Sequence, residues 1–302
     1  MPVLAPEAYL NPEVIRSVQR FDLKARFVME GFLAGLHKSP FKGFSVEFSD
    51  YRKYTPGDDI RSIDWKVWSR TNRYYVKQYE AETTLTGHLV MDLSASMGYA
   101  SRVGVLTKLE YATYLAGAMA YMMVNQQDPV GLITFGQEVD AYLKPKSKRS
   151  HLLSMLRVLS EAKPKGTTGL ATSLHRIAEM IPHRGLVMVF TDLLEDDEEK
   201  VRDAFSHLRY RGHDVIVFHI FEEAEARFTF DELTRFEDLE GSAESVTAEP
   251  AAIRAHYLKE VRDFLERYRS DFVRKRIDFV PVDTATSFDK ALVAYLQHRC
   301  GK

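Results

Sequence analysis

Gly87-His88-Leu89-Val90-Met91-Asp92-Leu93-Ser94-Ala95-Ser96 is the stretch on which the fold turns. Its first five residues are a short apolar run that reads as a buried strand. At the carboxyl end of that run a carboxylate and two hydroxyls follow at alternate positions: Asp92, Ser94 and Ser96. Thr107 to Val124 then holds strong helix formers and no proline, which predicts a helix. In an open α/β sheet, ligands bind in the loops beyond the carboxyl ends of the strands. One Asp and two Ser oxygens there suit a hard cation such as Mg²⁺, which takes oxygen ligands. Asp and Ser are also ordinary turn and N-cap residues, so this spacing alone leaves a capping role open.

Two later segments add to it. Lys165-Gly166-Thr167-Thr168-Gly169 forms a loop before the helix-like stretch Leu170 to Met180. Leu186-Val187-Met188-Val189-Phe190 is a second buried-strand candidate and ends in Thr191-Asp192. From Gly87 onward, strand patterns at 87–92, 130–135, 139–143, 186–191, 215–220 and 277–282 alternate with helix patterns. The helix patterns fall at 107–125, 150–160, 170–181, 197–211, 252–275 and 287–298. Such alternation predicts an α/β fold with a doubly wound, mostly parallel sheet. Val130–Phe135 and Val139–Leu143, joined by Gly136-Gln137-Glu138, read as a hairpin that supplies one antiparallel edge strand. Parallel strands bring the three oxygen-bearing loops to one edge of the sheet. Residues 222–250 are acidic and turn-rich and read as an insertion. Residues 1–84 form a separate appendage: a helical segment, clearest over Asp22 to His37, then short strands and turns. The α/β domain is expected over 85–302.

The set D-x-S-x-S, a later G-T-T loop and a strand ending in T-D resembles the von Willebrand factor A domain. That resemblance implies a metal-ion-dependent adhesion site. Asp92, Ser94 and Ser96 match its first loop, Thr167 its second, and Asp192 its third. Thr168 is the alternative in the second loop, since the motif does not fix the register there. The segment Tyr51 to Glu82, with its core Pro56-Gly57-Asp58-Asp59-Ile60-Arg61-Ser62-Ile63-Asp64-Trp65, resembles a bacterial family of unknown function numbered fifty-eight. In that family such a signature precedes a von Willebrand A-like domain, and Thr234 to Gly241 also fits it. The resemblance spans roughly residues 20 to 296. It implies a MoxR-type AAA+ ATPase as partner, in chaperone-like maturation or assembly of protein clients.

Composition narrows the setting. The chain has 302 residues and a net charge of -2, so no bulk attraction to nucleic acid or membrane follows. The one cysteine, Cys300, has no internal disulfide partner, which fits a reducing compartment. Charged residues at Glu7, Glu13, Arg16, Arg20 and Asp22 argue against a signal peptide. Tyr111 to Val124, the longest apolar-rich stretch, is too short to span a bilayer and reads as a core helix. The expected location is therefore the cytoplasm. No P-loop, dinucleotide glycine fingerprint, H-E-x-x-H or nucleophile elbow is present. Basic stretches at 37–42 and 144–149 read as solvated loops. The acidic run Glu195 to Glu199 reads as support for the next helix N-terminus. His219 reads as a core residue. Trp65 and Trp68, three apart, would share a helical face.

The leading expectation is a non-enzymatic protein-interaction module that binds Mg²⁺ (or Mn²⁺). Asp92 binds the cation directly, Asp192 acts through water, and an acidic residue of a protein partner completes the site. The competing expectations are a metal-dependent hydrolase using Asp92 and Asp192, and a structural scaffold with a degenerate metal site. Against the hydrolase, no histidine or lysine in the three loops is an evident general base. Asp92 and Thr167 are expected at a solvent-facing edge, so their substitution should spare the fold.

Overall fold

The computed structural model describes residues 21, 25, 28, 51–55, 65–77, 85–102, 105–240, 245–288 and 292–293. The signature core at 56–64, the basic stretch 37–42, Gly241, and most of the helices expected over 22–37 and 287–298 lie outside them. Contacts divide the chain into two units, Leu36–Thr84 and Met1–Gly35 together with Leu85–Lys302.

In the smaller unit, β1 (Tyr51–Lys53) is followed by α1 (Trp65–Thr71) and β2 (Tyr75–Lys77), and β2 pairs antiparallel with β1. The i, i+3 spacing brings the two tryptophans together, ring centroids 6.0 Å apart and edge-on. Trp68 also stacks on Tyr74 at 6.1 Å. Asn72, at φ 52°, ends α1 in the left-handed region, which asparagine tolerates better than most side chains.

The larger unit begins its sheet with β3 (Gly87–Asp92), α2 (Lys108–Asn125), β4 (Val130–Phe135), β5 (Val139–Lys146), α3 (Arg149–Glu161) and α4 (Leu170–Met180). It continues with β6 (Leu186–Thr191), α5 (Glu198–Tyr210), β7 (Asp214–Phe221), α6 (Glu223–Arg227), β8 (Thr234–Glu237), β9 (Ser245–Ala248), α7 (Pro250–Arg274) and β10 (Asp278–Asp283). Six strands form one sheet in the order β10-β7-β6-β3-β4-β5. All neighbours are parallel except β5, which runs antiparallel to β4 at the edge. This is the doubly wound α/β sheet with an antiparallel edge strand that the sequence predicts.

Side chains alternate across a strand, and here both faces are covered. Val90, Ile133, Val187, Val189, Val215 and Val217 share one apolar cluster with residues of α4, α5 and α7. The intervening residues meet α2, which lies on β3, β4 and β7. On that face Phe190 and Phe218 stack at 4.9 Å. Because α2 is buried almost all round, its sequence is apolar all round. It starts at a capping box: Thr107 Oγ1 accepts from the Glu110 N–H, and the Glu110 carboxylate accepts from the Thr107 N–H.

The strand order reverses between β3 and β6. The chain leaves β3 toward β4 on one side, and leaves β6 toward β7 on the other. The crevice opened by such a reversal is where open α/β sheets bind ligands. Two segments differ from expectation. β5 runs on to Lys146, so Lys144 and Lys146 belong to an edge strand and Arg149 to α3, not to a loop. Residues 222–250 also carry regular structure: α6, and the hairpin β8–β9.

Candidate metal centre

Asp92 is the last residue of β3. Its Oδ1 accepts from the Ser94 N–H at 2.9 Å, turning the chain sharply, and its Oδ2 accepts from the Thr191 hydroxyl at 2.7 Å. The Ser94 and Ser96 hydroxyls lie 3.0 Å apart. The second loop is stitched to the first through its backbone. Lys165 N donates to Leu93 O at 2.8 Å, and Ala95 N to Gly166 O at 3.1 Å. Gly166 sits at φ +64°, open to glycine at no steric cost. Gly169, just before α4, backs so closely onto the β4–β5 turn that a Cβ would clash with Gln137 O. The third loop leaves β6 through Thr191 and Asp192, with Leu193 at φ 58°. A buried leucine in the left-handed region is strained. The Thr191 hydroxyl, accepting from the Leu193 N–H at 3.1 Å, helps hold it there.

The three loops thus converge as predicted from their chemistry, with one correction. Asp92 does not face solvent: it is 1% exposed, and Ser94, Ser96 and Asp192 are buried too. Loops from β3, β6 and the start of α4 close over one another, so the first carboxylate ends up beneath them. Thr167 is exposed. In Thr168 the Oγ1 atom is buried without a hydrogen-bond partner, while its N–H donates to Glu240 Oε2 at 2.9 Å.

The electrostatics are unusual for a sheet edge. Burial, then the neighbouring Asp192, pushes the Asp92 carboxyl up to about 7 against the pull of the Ser94 and Thr191 hydrogen bonds. Asp192 Oδ2 accepts from Lys108 Nζ at 2.7 Å, and the same ammonium donates to Glu225 at 2.8 Å. Burial works against the Lys108 charge, but the two carboxylates outweigh it and its pKa rises. His219 Nε2 meets the backbone oxygen of Asp192 at 3.1 Å. Burial pushes its pKa down to about 4, and its ring packs among Phe221, Phe264 and Phe279. The acidic run divides its work: Asp197 caps α5, whereas Glu195 reaches back to accept from the Ala171 N–H in the first turn of α4.

Sequence reasoning missed Lys108, Glu225 and Glu240. Lys108 lies one residue past the Thr107 cap and hence in the first turn of α2, and Glu240 falls in the stretch Thr234 to Gly241 that fits the family signature, which says nothing of its role. A cleft of about 1300 Å³ opens beside the site, lined by Ser96, Lys108, Thr167, Thr168, Glu225 and Glu240 among others.

Residues 50–267, a span that holds every one of these groups, match the family described as "Protein of unknown function DUF58". The chain belongs to this family. Uncharacterized protein Rv1480 of Mycobacterium tuberculosis and uncharacterized protein Mb1516 of Mycobacterium bovis are each 26% identical to it over 187 residues. That match spans 61% of this chain and 58% of each relative's length. Among solved structures, the chain is similar to the conserved hypothetical protein BatB of Bacteroides thetaiotaomicron, with 16% identity, coverage of 72% and 98% of the two chains, and a TM-score of 0.48. It is also similar to an aerotolerance-related membrane protein of Bacteroides fragilis, with 18% identity, coverage of 72% and 100%, and a TM-score of 0.49. For the VWA domain of SpRpn10 the values are 12% identity, 70% and 94% coverage, and a TM-score of 0.41. In this DUF58 chain no helix among the described residues is long and apolar enough to cross a membrane.

Among the described residues no three His, Cys, Asp or Glu side chains gather to hold a metal. The donors here are instead hydroxyls with two carboxylates, the set a hard cation accepts. Thr168 Oγ1 and Glu240 Oε1 are both buried and both lack a hydrogen-bond partner. Buried polar atoms are seldom left so, and an ion is one of the usual reasons. A divalent cation among Asp92, Ser94, Ser96 and the Thr168 oxygen would satisfy the orphaned hydroxyl and relieve the repulsion between the two aspartates.

Proposed function

We propose that this DUF58 chain is a non-enzymatic protein-interaction module whose grip depends on Mg²⁺ or Mn²⁺. Asp92, Ser94, Ser96 and a threonine of the 167–168 pair hold the cation, and we assign that role to Thr168 on its orphaned hydroxyl. Asp192, already engaged by Lys108 and the Leu194 N–H, supports it from further out. The cation supplies an electrophilic point that accepts an acidic oxygen from a protein partner. The observation that carries this reading is the meeting of three loops' oxygen donors at the strand-order reversal, with one hydroxyl buried and unsatisfied. Family resemblance extends it to the partner, a MoxR-type AAA+ ATPase or its client, and a cytoplasmic setting belongs to the same proposal.

Calorimetric titration and thermal melting with Mg²⁺ and Mn²⁺ test it. Binding to the folded state stabilises by about 2.7 kcal/mol at a hundredfold excess over Kd. Asp92→Asn keeps an acceptor for the Ser94 N–H and removes the charge; its amide NH2 faces the Thr191 hydroxyl, which can rotate to accept instead of donate. It should fold, bind Mn²⁺ at least about tenfold more weakly, and lose Mg²⁺-dependent capture of the purified ATPase in nucleotide-free buffer. Equal capture by wild type and Asp92→Asn, indifferent to EDTA, would end the proposal.

A second reading rests on Lys108. Its ammonium, 1% exposed and 2.7 Å from Asp192, supplies positive charge to the site without any metal. The site would then be structural, and the same titration separates the two: no heat and no melting shift with either cation favours the lysine.

A further inference from the structure

Glu240 belongs to none of the three loops, yet it reaches into the site from the segment 222–250. Its Oε2 accepts from the Thr168 N–H at 2.9 Å across 72 residues of sequence. Burial, the largest influence, raises its pKa, while hydrogen bonding from the Thr168 N–H and the Ser96 hydroxyl lowers it. Its other oxygen, Oε1, is buried without a hydrogen-bond partner, as is Thr168 Oγ1 on the adjoining side. A carboxylate therefore already stands over the hydroxyl donors, with one oxygen unsatisfied.

The segment that carries it is built to hold it. Glu240 N donates to Asp238 Oδ1 at 2.8 Å, which turns the chain as it leaves β8. Phe236 of β8 stacks on Phe228 at 5.8 Å and meets Phe230 edge-on at 5.4 Å. Phe228 in turn contacts Tyr257 of α7 at 4.6 Å, and Arg254 of α7 donates to Phe230 O at 2.6 Å and to Asp231 at 2.9 Å. A solvated acidic loop has no need of this anchorage.

We propose that Glu240 is an in-chain occupant of the site's carboxylate position, one that a partner's acidic side chain must displace. The inference rests on the cation-dependent reading above and specifies how that site is regulated. Partner binding then exchanges one carboxylate for another. That exchange keeps the charge at the site unchanged and makes affinity depend on how well the partner outcompetes a tethered competitor.

The test uses the full chain, Mn²⁺ and acetate. Wild type, Glu240→Gln and Glu237→Gln are compared by calorimetry and by water-proton relaxation of bound Mn²⁺. Glu237 lies in the same hairpin and cleft and pairs with Arg235, so it controls for loss of nearby charge. Glu240→Gln should bind Mn²⁺ about tenfold more weakly, hold one more exchangeable water, and lose that water to millimolar acetate. Wild type and Glu237→Gln should not respond to acetate. If Glu240→Gln matches wild type in Mn²⁺ affinity, hydration and acetate response, this inference fails and the cation-dependent reading stands. If wild type binds no Mn²⁺, both fail together.

Discussion

The two ends of the same strands handle buried polar groups differently. At the amino ends of β3, β6 and β7 the chain closes on itself. A Cβ on Gly185 would sit 2.5 Å from Thr86 O, and one on Gly87 would strike the Met123 side chain. The polar residues enclosed there include His88 and His213, with three of their ring nitrogens buried and unpartnered. Burial lowers the pKa of both, so they stay neutral. At the carboxyl ends the enclosed groups are Asp92, Asp192 and Lys108, joined by Glu225 and Glu240. The amino end also encloses Asp128 and Asp214, but one accepts from the Leu85 N–H and the other pairs with Arg184 and Arg209, whereas the carboxyl end crowds Asp92 and Asp192 together. Concentrated charge in a buried place costs stability, and it persists where it serves binding.

The largest test of that contrast is Lys108→Met. It leaves Asp192 buried without its cation, and breaking a buried pair from one side costs about 3–5 kcal/mol. Urea unfolding of the metal-free protein should show that loss, and millimolar Mg²⁺ should restore part of it, since an ion can replace the missing positive charge. A neutral substitution would mean that the carboxyl end holds no strained charge at all, and the contrast would collapse.

The next effect belongs to the amino end. His88 has its pKa lowered to about 4, by burial first and by His213 second. The unfolded chain then binds more protons than the folded one between about pH 6.5 and 4, so stability falls as pH drops through that window. The fall from 6.5 to about 4 corresponds to about 3 kcal/mol in full. Asp92, held up to about 7, acts in the opposite sense, so the total curve is a sum. The difference between wild type and His88→Phe isolates the histidine. The stability of wild type relative to His88→Phe should fall steadily as pH drops from 6.5 to 4, measured by urea midpoints in EDTA. A difference that does not change with pH would show that His88 titrates alike in both states.

How far these ends were legible in the sequence follows from their chemistry. The strands β3, β4 and β6 are continuous apolar runs because both faces of the sheet are covered, and their limits match the sequence reading residue for residue. The three donor loops were legible because each follows or precedes such a run. The burial of Asp92 was not, because no local pattern says that three loops will fold over one another. Lys108 reads as a solvated lysine until the first turn of α2 is seen against β6. The β8–β9 hairpin hid because Thr234–Glu237 alternates exposed charge with half-buried residues, and its apolar partners Phe228 and Phe230 lie outside the strand. Glu240 meets Thr168 only through that hairpin, so nothing within 72 residues announces the contact.

The smallest effect tests whether the carboxyl end depends on helix geometry or on charge alone. Thr107 caps α2, and Lys108 is the next residue, so the cap fixes where the ammonium enters the site. Thr107→Ala removes the acceptor for the Glu110 N–H and leaves in place the bond that the residue 107 N–H donates to the Glu110 carboxylate. Loss of such a cap costs about 1 kcal/mol, or roughly 2–4 °C in Tm for a unit of this size. Thr107→Ser should recover most of it, because the hydroxyl is the working part. If the cap only ends the helix, Mn²⁺ affinity in Thr107→Ala stays within about twofold of wild type. If it also places Lys108, the freed first turn lets the ammonium drift from Asp192, and Mn²⁺ affinity rises as the competing positive charge retreats. Rising Mn²⁺ affinity at falling Tm has no explanation in cap loss alone, and it would tie the charge at this end of the sheet to the turn that delivers it.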